Sequence, residues 1–281
     1  MMQLNPFNSW SWKFARTWLP HMTASSFLRL RSNYLNDDID ADVRANGFRL
    51  RMKHPISGDL WIRPHGSDVR TFDEIIRYDV YGPIVKASRH AKYVMDLGAN
   101  IGLATRYFAD ALPGSSIFAV EPDARNFAML QRNTATLALK GRCRTLRAAA
   151  WNCSGEVNLR EAEGVNAFDS MSVGEGPEGA PVQAYSVDEL IARSGFPQVD
   201  LLKVDVEGAE VQLFESADRW IESVQMIAVE FHGNTRAESG FDDVVLRSGF
   251  EVDDSHRHTV MARRRGNRHR PRWTSEVLAR V

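Results

Sequence analysis

"VMDLGANIGLATRYFA", residues 94–109, runs from an apolar strand through a glycine turn into a helix. A unit of this shape presents backbone amides and a helix N-terminus to a nucleotide-like ligand at the carboxyl edge of a parallel sheet. A dinucleotide needs G-x-G-x-x-G, whose middle glycine lets the backbone approach a pyrophosphate. Here the run is Asp96-Leu97-Gly98-Ala99-Asn100-Ile101-Gly102, with Asn100 in the middle place. The Asp96 carboxylate at the strand end would also repel two phosphates. Both features disfavour a nucleotide-dependent oxidoreductase or epimerase. S-adenosylmethionine carries a sulfonium and an ammonium but no phosphate, so an acid at this point attracts it. The next strand ends in Glu121, 25 residues after Asp96, where a carboxylate can accept both ribose hydroxyls. The turn is read as an S-adenosylmethionine site.

Outward from this turn, strands and helices alternate. "SSIFAVEP", "CRTLRAAAW", "VDLLKVDVEG" and "QMIAVEFHG" read as strands, separated by helices such as "ARNFAMLQRNTATLAL" and "SVDELIARSG". Two last strands, "FEVDDSHR" and "TVMARR", close the pattern. Cores such as "DLLKV" and "MIAV" are apolar on successive positions, as expected when helices cover both faces of a parallel sheet. The prediction is a doubly wound, mostly parallel α/β sheet of the Rossmann-like kind, with its ligand at the carboxyl ends of the strands.

Three segments are expected. Residues 1–65 form an extension, in which Phe7, Trp10, Phe14 and Trp18 make one helical stripe ended by Pro20. That stripe suits packing on the main domain or a second copy, a membrane surface, or a lid over a greasy substrate; Trp12 adds a further aromatic. Residues 43–65 read as a hairpin with turns at Asn46-Gly47 and Ser57-Gly58. Residues 66–262 form the catalytic domain, with a helix over 69–81 that carries Tyr78 and Tyr81 near the cleft. Residues 263–281 are a basic tail containing Arg263, Arg264, Arg265, Arg268, Arg270 and Arg272, solvated or facing an anionic partner.

Composition narrows the function. The chain has 281 residues and a formal net charge of −1, so no basic excess points to nucleic acid. Cys143 and Cys153 offer neither a disulfide framework nor metal-ligand spacing, and a reducing, cytoplasmic setting is expected. No secretory signal is read at the N-terminus, and no apolar run approaches the roughly 18 residues of a membrane span.

"VMDLGANIGLAT", "VEPDARNFAMLQRN", "AAAWNCSG" and above all "VDLLKVDVEGAE" resemble the FkbM family of S-adenosylmethionine-dependent methyltransferases, over roughly residues 68–231. The resemblance implies a seven-stranded class I methyltransferase fold and O-methylation of a hydroxyl on a natural product, sugar or glycan. It places Asp96, Gly98, Asn100 and Gly102 around the methionine end of the cofactor and Glu121 on the ribose, with Pro122 and Asp123 just beyond. Asp123 can equally cap the following helix, as can Asn126. Ala150 and Trp151 end the third strand, where the adenine edge would lie. Trp151 suits stacking or core packing alike.

The transfer needs an aligned acceptor oxygen and a group to take its proton. Asp205 follows an apolar strand and faces the ligand edge, with Glu207 two residues on and Lys203 one step deeper, pairing with Asp205 or Glu207. Glu230 and His232 take the matching place on the neighbouring strand. His232 is the one histidine that this strand map puts at the edge, and an ordinary imidazole suits a base at neutral pH. Asp205, His232, Glu207 and Lys203 are the catalytic candidates, with Asp205 also counted toward the cofactor. Glu207 and Glu210 have a plainer reading as acids at a helix N-terminus. Asp205, Glu207, Glu230 and His232 offer ligands for Mg²⁺, yet nothing in their spacing demands a metal, and none is assigned. The glycine-rich stretch 164–176 reads as a loop framing the acceptor, with Ser170 and Ser172 in it; Ser172, Glu230 and His232 are the substrate candidates. An S-adenosylmethionine-binding protein without catalysis is the other reading.

Overall fold

The computed structural model describes residues 16–35, 39–64, 67–161, 171–174, 179–256 and 258–265. Helices α1 (Ala24–Leu35) and α2 (Ala41–Asn46) precede an antiparallel hairpin of β1 (Phe48–Met52) and β2 (Gly58–Ile62). Alternation explains the hairpin: Phe48, Leu50 and Met52 turn inward while Arg49 and Arg51 stay outside. Helices α3 (Ser67–Ile76) and α4 (Gly82–Ala87) then lead into the main sheet.

That sheet has seven strands: β3 (Tyr93–Leu97), β4 (Ser116–Val120), β5 (Cys143–Leu146), β10 (Leu201–Val204), β11 (Met226–Val229), β12 (Phe250–Asp253) and β13 (Val260–Arg264). Their order is β12-β13-β11-β10-β3-β4-β5, and β13 runs antiparallel to both neighbours. The pairs between β11, β10, β3, β4 and β5 are all parallel. Connections leave β3 toward β4 on one side while β10 joins on the other, so the order reverses at the β3–β10 seam. A ligand crevice opens at such a seam.

Helices α5 (Leu103–Ala111) and α6 (Ala124–Leu139) follow β3 and β4. The boundaries of α6 coincide with the sequence expectation, because Asp123 stops the preceding extended chain. Its carboxylate accepts hydrogen bonds from Arg125 N at 3.0 Å and Asn126 N at 2.8 Å. Helix α7 (Val187–Ser194) opens with a Ser186/Glu189 capping box and closes at Gly195 in a left-handed conformation. Helix α8 (Glu210–Glu215) follows β10, and α9 (Thr235–Glu238) and α10 (Phe241–Arg247) follow β11. No helix among the described residues is long and apolar enough to cross a membrane.

Several expectations need correction. "CRTLRAAAW" is not one strand. It breaks after Leu146, and β6 (Ala149–Trp151) pairs into a separate sheet with β7 (Gly155–Glu161), β8 (Met171–Gly174) and β9 (Ala180–Ser186), in the order β6-β9-β7-β8. Val157, Leu159, Val182 and Ala184 alternate inward and pack with Trp151 and Ala209. Sequence reading missed these strands, although the period-two pattern is present. Part of the expected acceptor loop is thus strand β8, while residues 162–170 and 175–178, Ser170 included, lie outside the described residues.

Asn46-Gly47 ends α2 rather than turning a hairpin. The helix expected over 69–81 stops at Ile76, because Asp79 takes a left-handed φ of 51° and Pro83 starts α4. Trp18 is fully buried and stacks on Phe72, with ring centroids 5.2 Å apart and planes 6° from parallel. It takes the core role; Phe7, Trp10, Trp12 and Phe14 lie outside the described residues. Arg264 belongs to β13 and not to a solvated tail. Its guanidinium donates to the carbonyls of Val224, Ser248 and Ile221 and lies over Phe250.

Candidate active site

The glycine turn is held by the protein on every side. Gly98 N and Ala99 N both donate to Val120 O, at 3.0 and 2.9 Å. Gly98 has φ 74°, and a Cβ there would overlap the Asp205 carbonyl oxygen, so the residue must be glycine because β3 and β10 end shoulder to shoulder. Asn100 also adopts a left-handed φ, 50°, and its N–H donates to Glu121 Oε2 at 2.8 Å. Asp123 N donates to Glu121 Oε1 at 2.9 Å. Burial lifts the Glu121 carboxyl to about 7 even though those two N–H groups favour its charged form. Each oxygen keeps a further lone pair, so the acid is oriented at the edge and still able to accept hydroxyls.

Asp96 departs from expectation. Its carboxylate is fully buried, accepts from Thr105 Oγ1 at 2.6 Å and lies 3.2 Å from Lys203 Nζ. It therefore supports the turn from behind rather than meeting a ligand. Lys203 is buried as well, donating to Gly98 O at 2.7 Å and lying 3.4 Å from Asp205 Oδ2. Burial works against its charge, but Asp96 and Asp205 outweigh it and hold the ammonium well above the ordinary lysine range. Lys203 thus pairs with Asp96 and Asp205, not Glu207. A permanent cation one step below the edge locks the turn to β10.

The chain turns sharply after β10. Glu207 sits at φ 50° beside Gly208, a conformation that costs a non-glycine residue about 1 kcal/mol or more. Strand alternation therefore does not place its side chain; the turn does. His232 meets three carboxylates there: Nδ1 lies 2.8 Å from Glu210 Oε1, and Nε2 lies 3.4 Å from Glu207 and 3.8 Å from Asp205. Burial alone would lower its pKa, but the bond to Glu210 and the charges of Glu207 and Asp205 raise it to about 9. A pKa at that level favours the protonated imidazole at neutral pH, which departs from the ordinary imidazole expected at this place. The ligand atoms of Asp205, Glu207 and His232 lie within 4.8 Å of one another, close enough to share an ion. The same three groups stand as ion pairs between the imidazolium and the two carboxylates.

Glu230 does not join that cluster. It faces His258, whose Nδ1 is 3.3 Å from its Oε2 and whose Nε2 is 3.8 Å from Glu74 Oε2 on α3. Burial, with the nearby Asp205 charge, lifts the Glu230 carboxyl to about 7. The Glu74 carboxylate, with the Glu230 charge, raises the His258 pKa against burial. His232 is therefore not the one histidine at this edge.

Among the remaining candidates, Asp123 uses its carboxylate as the helix cap, and Asn126 accepts from Arg63 Nη2 at 2.7 Å instead of capping. Pro122 follows Glu121 after β4, and Gly102 sits at φ 87° directly before α5. Ala150 and Trp151 are buried on β6, outside the main sheet, so Trp151 is a core residue. Ser172 sits on β8 opposite Arg160. Tyr78 is exposed under Arg77, whereas Tyr81 is buried near Lys203 and its hydroxyl pKa is pushed up by burial. Sequence reading missed His258 and Glu74 as edge residues. It also missed Glu210 as the partner of His232, taking it for a helix-start acid. No local signal joins residues separated by this much chain.

A seam-centred parallel sheet, with one reversed strand inserted before its edge and its polar cluster at the carboxyl ends, defines a Rossmann-like class I methyltransferase. Residues 96–268 match the Methyltransferase FkbM domain, and the chain belongs to that family of methyltransferases. It is 24% identical over 209 residues to hexuronic acid methyltransferase AglP of Haloferax volcanii, a match covering 73% of this chain and 79% of that one. It is 28% identical over 192 residues to methyltransferase sdnD of Sordaria araneosa, covering 57% of this chain and 74% of that one. A solved methyltransferase FkbM from Methylobacillus flagellatus is similar at 18% identity and a TM-score of 0.45, over 62% of this chain and 43% of that one.

Proposed function

We propose that this chain methylates a hydroxyl of a sugar, glycan or natural product, using S-adenosylmethionine. Glu121 carries the reading. Its two oxygens are fixed by Asn100 N and Asp123 N at the edge of the glycine turn, with lone pairs left for a ribose diol. The surrounding edge suits a cationic cofactor: among the described residues, Asp205, Glu207, Glu210 and Glu230 outnumber the cations beside them, Lys203, His232 and His258, and Lys203 also pairs with Asp96. Bound S-adenosylmethionine supplies a methyl carbon on a sulfonium, so the acceptor oxygen gains a C–O bond as the C–S electron pair returns to sulfur. Gly98, Asn100 and Gly102 would line the methionine side, and Lys203 would keep that turn in register with Asp205. With His232 already protonated, taking the acceptor's proton falls to the carboxylates. The two unpaired cysteines fit a cytoplasmic setting.

Calorimetric titration with S-adenosylmethionine tests the cofactor, with NAD⁺ in a parallel cell. Glu121→Ala should weaken the former about 10- to 100-fold, the loss of hydrogen bonds to a charged acceptor. An unchanged affinity, or heat with NAD⁺ alone, would sink the reading.

The carboxylate excess also bears on the acceptor. The Haloferax relative is named for a hexuronic acid, whereas these described residues repel an anionic sugar. With labelled S-adenosylmethionine, methyl glucoside should have about tenfold higher kcat/KM than methyl glucuronoside, a gap that narrows with added salt. A preference for the uronic acid would assign its recognition to other residues.

A further inference from the structure

We infer that Glu230 is the group that takes the acceptor hydroxyl's proton, and that His258 and Glu74 are positioning residues that hold Glu230 ready for it. The inference rests on the O-methyl transfer proposed above and concerns which of this chain's groups completes it. Three elements far apart in sequence converge here: α3 brings Glu74, the end of β11 brings Glu230, and the residues before β13 bring His258. All three side chains are about one-quarter exposed, at 28%, 28% and 25%, so they sit on the rim of the crevice and not inside the core.

The competing carboxylates are engaged differently. Asp205 faces two cations, Lys203 and His232, and Glu207 faces the same protonated His232. Glu210 is fully buried and bonded to His232 Nδ1. Glu230 has one imidazole beside it and a quarter of its surface open to an incoming hydroxyl. The other imidazole nitrogen faces Glu74 at 3.8 Å, a carboxylate that Arg70 holds at 3.1 Å, and Nδ1 also lies 3.4 Å from Thr259 Oγ1. A carboxylate–imidazole–carboxylate row of this kind favours the charged imidazole and holds it beside Glu230.

As the acceptor oxygen gains its C–O bond, its O–H bond breaks and the proton passes to a Glu230 oxygen. The carboxylate becomes a neutral carboxyl, and the proton later leaves to solvent. A carboxyl that titrates at about 7 suits this exchange at neutral pH, since a base works best when its pKa lies near the working pH. The groups facing Glu230 and His258 are Lys203, Asp205 and His232 from the strand ends, Tyr81 at the start of α4, and Glu74 with Arg70 from α3. Removing the imidazole, or the Glu74 carboxylate that favours its charged form, leaves Glu230 less able to ionise. Both His258→Asn and Glu74→Gln should therefore move the Glu230 titration, and the rate profile with it, to higher pH.

Two measurements on the full chain test this. Carboxyl-carbon NMR of the cofactor-free protein follows the Glu230 titration in wild type, His258→Asn and Glu74→Gln. Methyl transfer from labelled S-adenosylmethionine to a panel of methyl glycosides gives kcat and KM against pH. Wild-type kcat should rise with pH through about 7. Glu230→Gln should lower kcat about 100-fold or more with little change in KM, the scale of a lost general base. Retained S-adenosylmethionine affinity in that variant shows that it folds. If Glu230→Gln keeps its kcat, or the His258 and Glu74 variants leave the Glu230 titration and the rate profile in place, the inference fails while the methyl-transfer reading stands. If wild type methylates no hydroxyl on the panel, the methyl-transfer reading fails and takes this inference with it.

Discussion

Lys203→Met should destabilise the protein by about 3–5 kcal/mol, the usual loss when one partner of a buried ion pair is removed. The lysine side chain is 4% exposed and that of Asp96 is 0% exposed, and they meet at the centre of the sheet where water cannot replace either. Without the ammonium, Asp96 keeps one hydrogen bond from Thr105 and carries an uncompensated charge among apolar strands. Gly98 O loses its donor in the same step. The double variant Asp96→Asn/Lys203→Met should recover most of the loss, since the buried charge goes with its partner. Urea denaturation of the two singles and the double gives the coupling directly. A single variant as stable as wild type would mean that Asp96 is not ionised in the fold.

The sign of the pH dependence follows from the raised lysine pKa. The stabilisation is fully present below the ordinary value of 10.5 and is lost only as pH climbs through the higher value of the folded state. It should therefore stay flat across the neutral range.

Gly98→Ala should cost about 2–4 kcal/mol of stability and lower S-adenosylmethionine affinity about 100-fold or more. Two penalties combine. The residue has φ 74°, and its Cβ would overlap the Asp205 carbonyl oxygen, a backbone atom that cannot rotate away. Relief requires β3 and β10 to part at their carboxyl ends, which moves the turn away from Glu121 and disturbs the Lys203 contacts. Gly195→Ala is the control. Gly195 has a similar φ of 70° but open space around it, so that change should cost about 1 kcal/mol and leave cofactor affinity alone. Equal effects from the two substitutions would show that conformation alone, not the close approach of β10, makes Gly98 necessary.

Much of the frame was legible before any coordinates. Consecutive apolar runs in "DLLKV" and "MIAV" mark buried parallel strands, because only a strand covered on both faces can be apolar at successive positions. Helix α6 could be bounded from Asp123 onward because a side-chain cap is a local event. The glycine turn and Glu121 were readable for the same reason, each being a short stretch whose conformation its own residues dictate. The small sheet of β6 to β9 was not anticipated, although Val157, Leu159, Val182 and Ala184 alternate, because its short strands are defined by partners that only the fold supplies.

The charges are another matter. Asp96 looked like a ligand group and is a buried counter-ion; His232 looked like a base and is a protonated hub; Glu210 looked like a helix-start acid and orients that hub. Residue type and spacing by themselves determined the α/β sheet, the site's position at the strand ends and the acids that could act there. Only the tertiary structure decided which acid meets which cation, and so which group is free to accept a proton. Strand and helix patterns repeat over a few residues and are written locally. Coulomb energy and desolvation depend on distances between groups such as Glu74, Glu230 and His258, which the folded chain alone brings within a few ångströms.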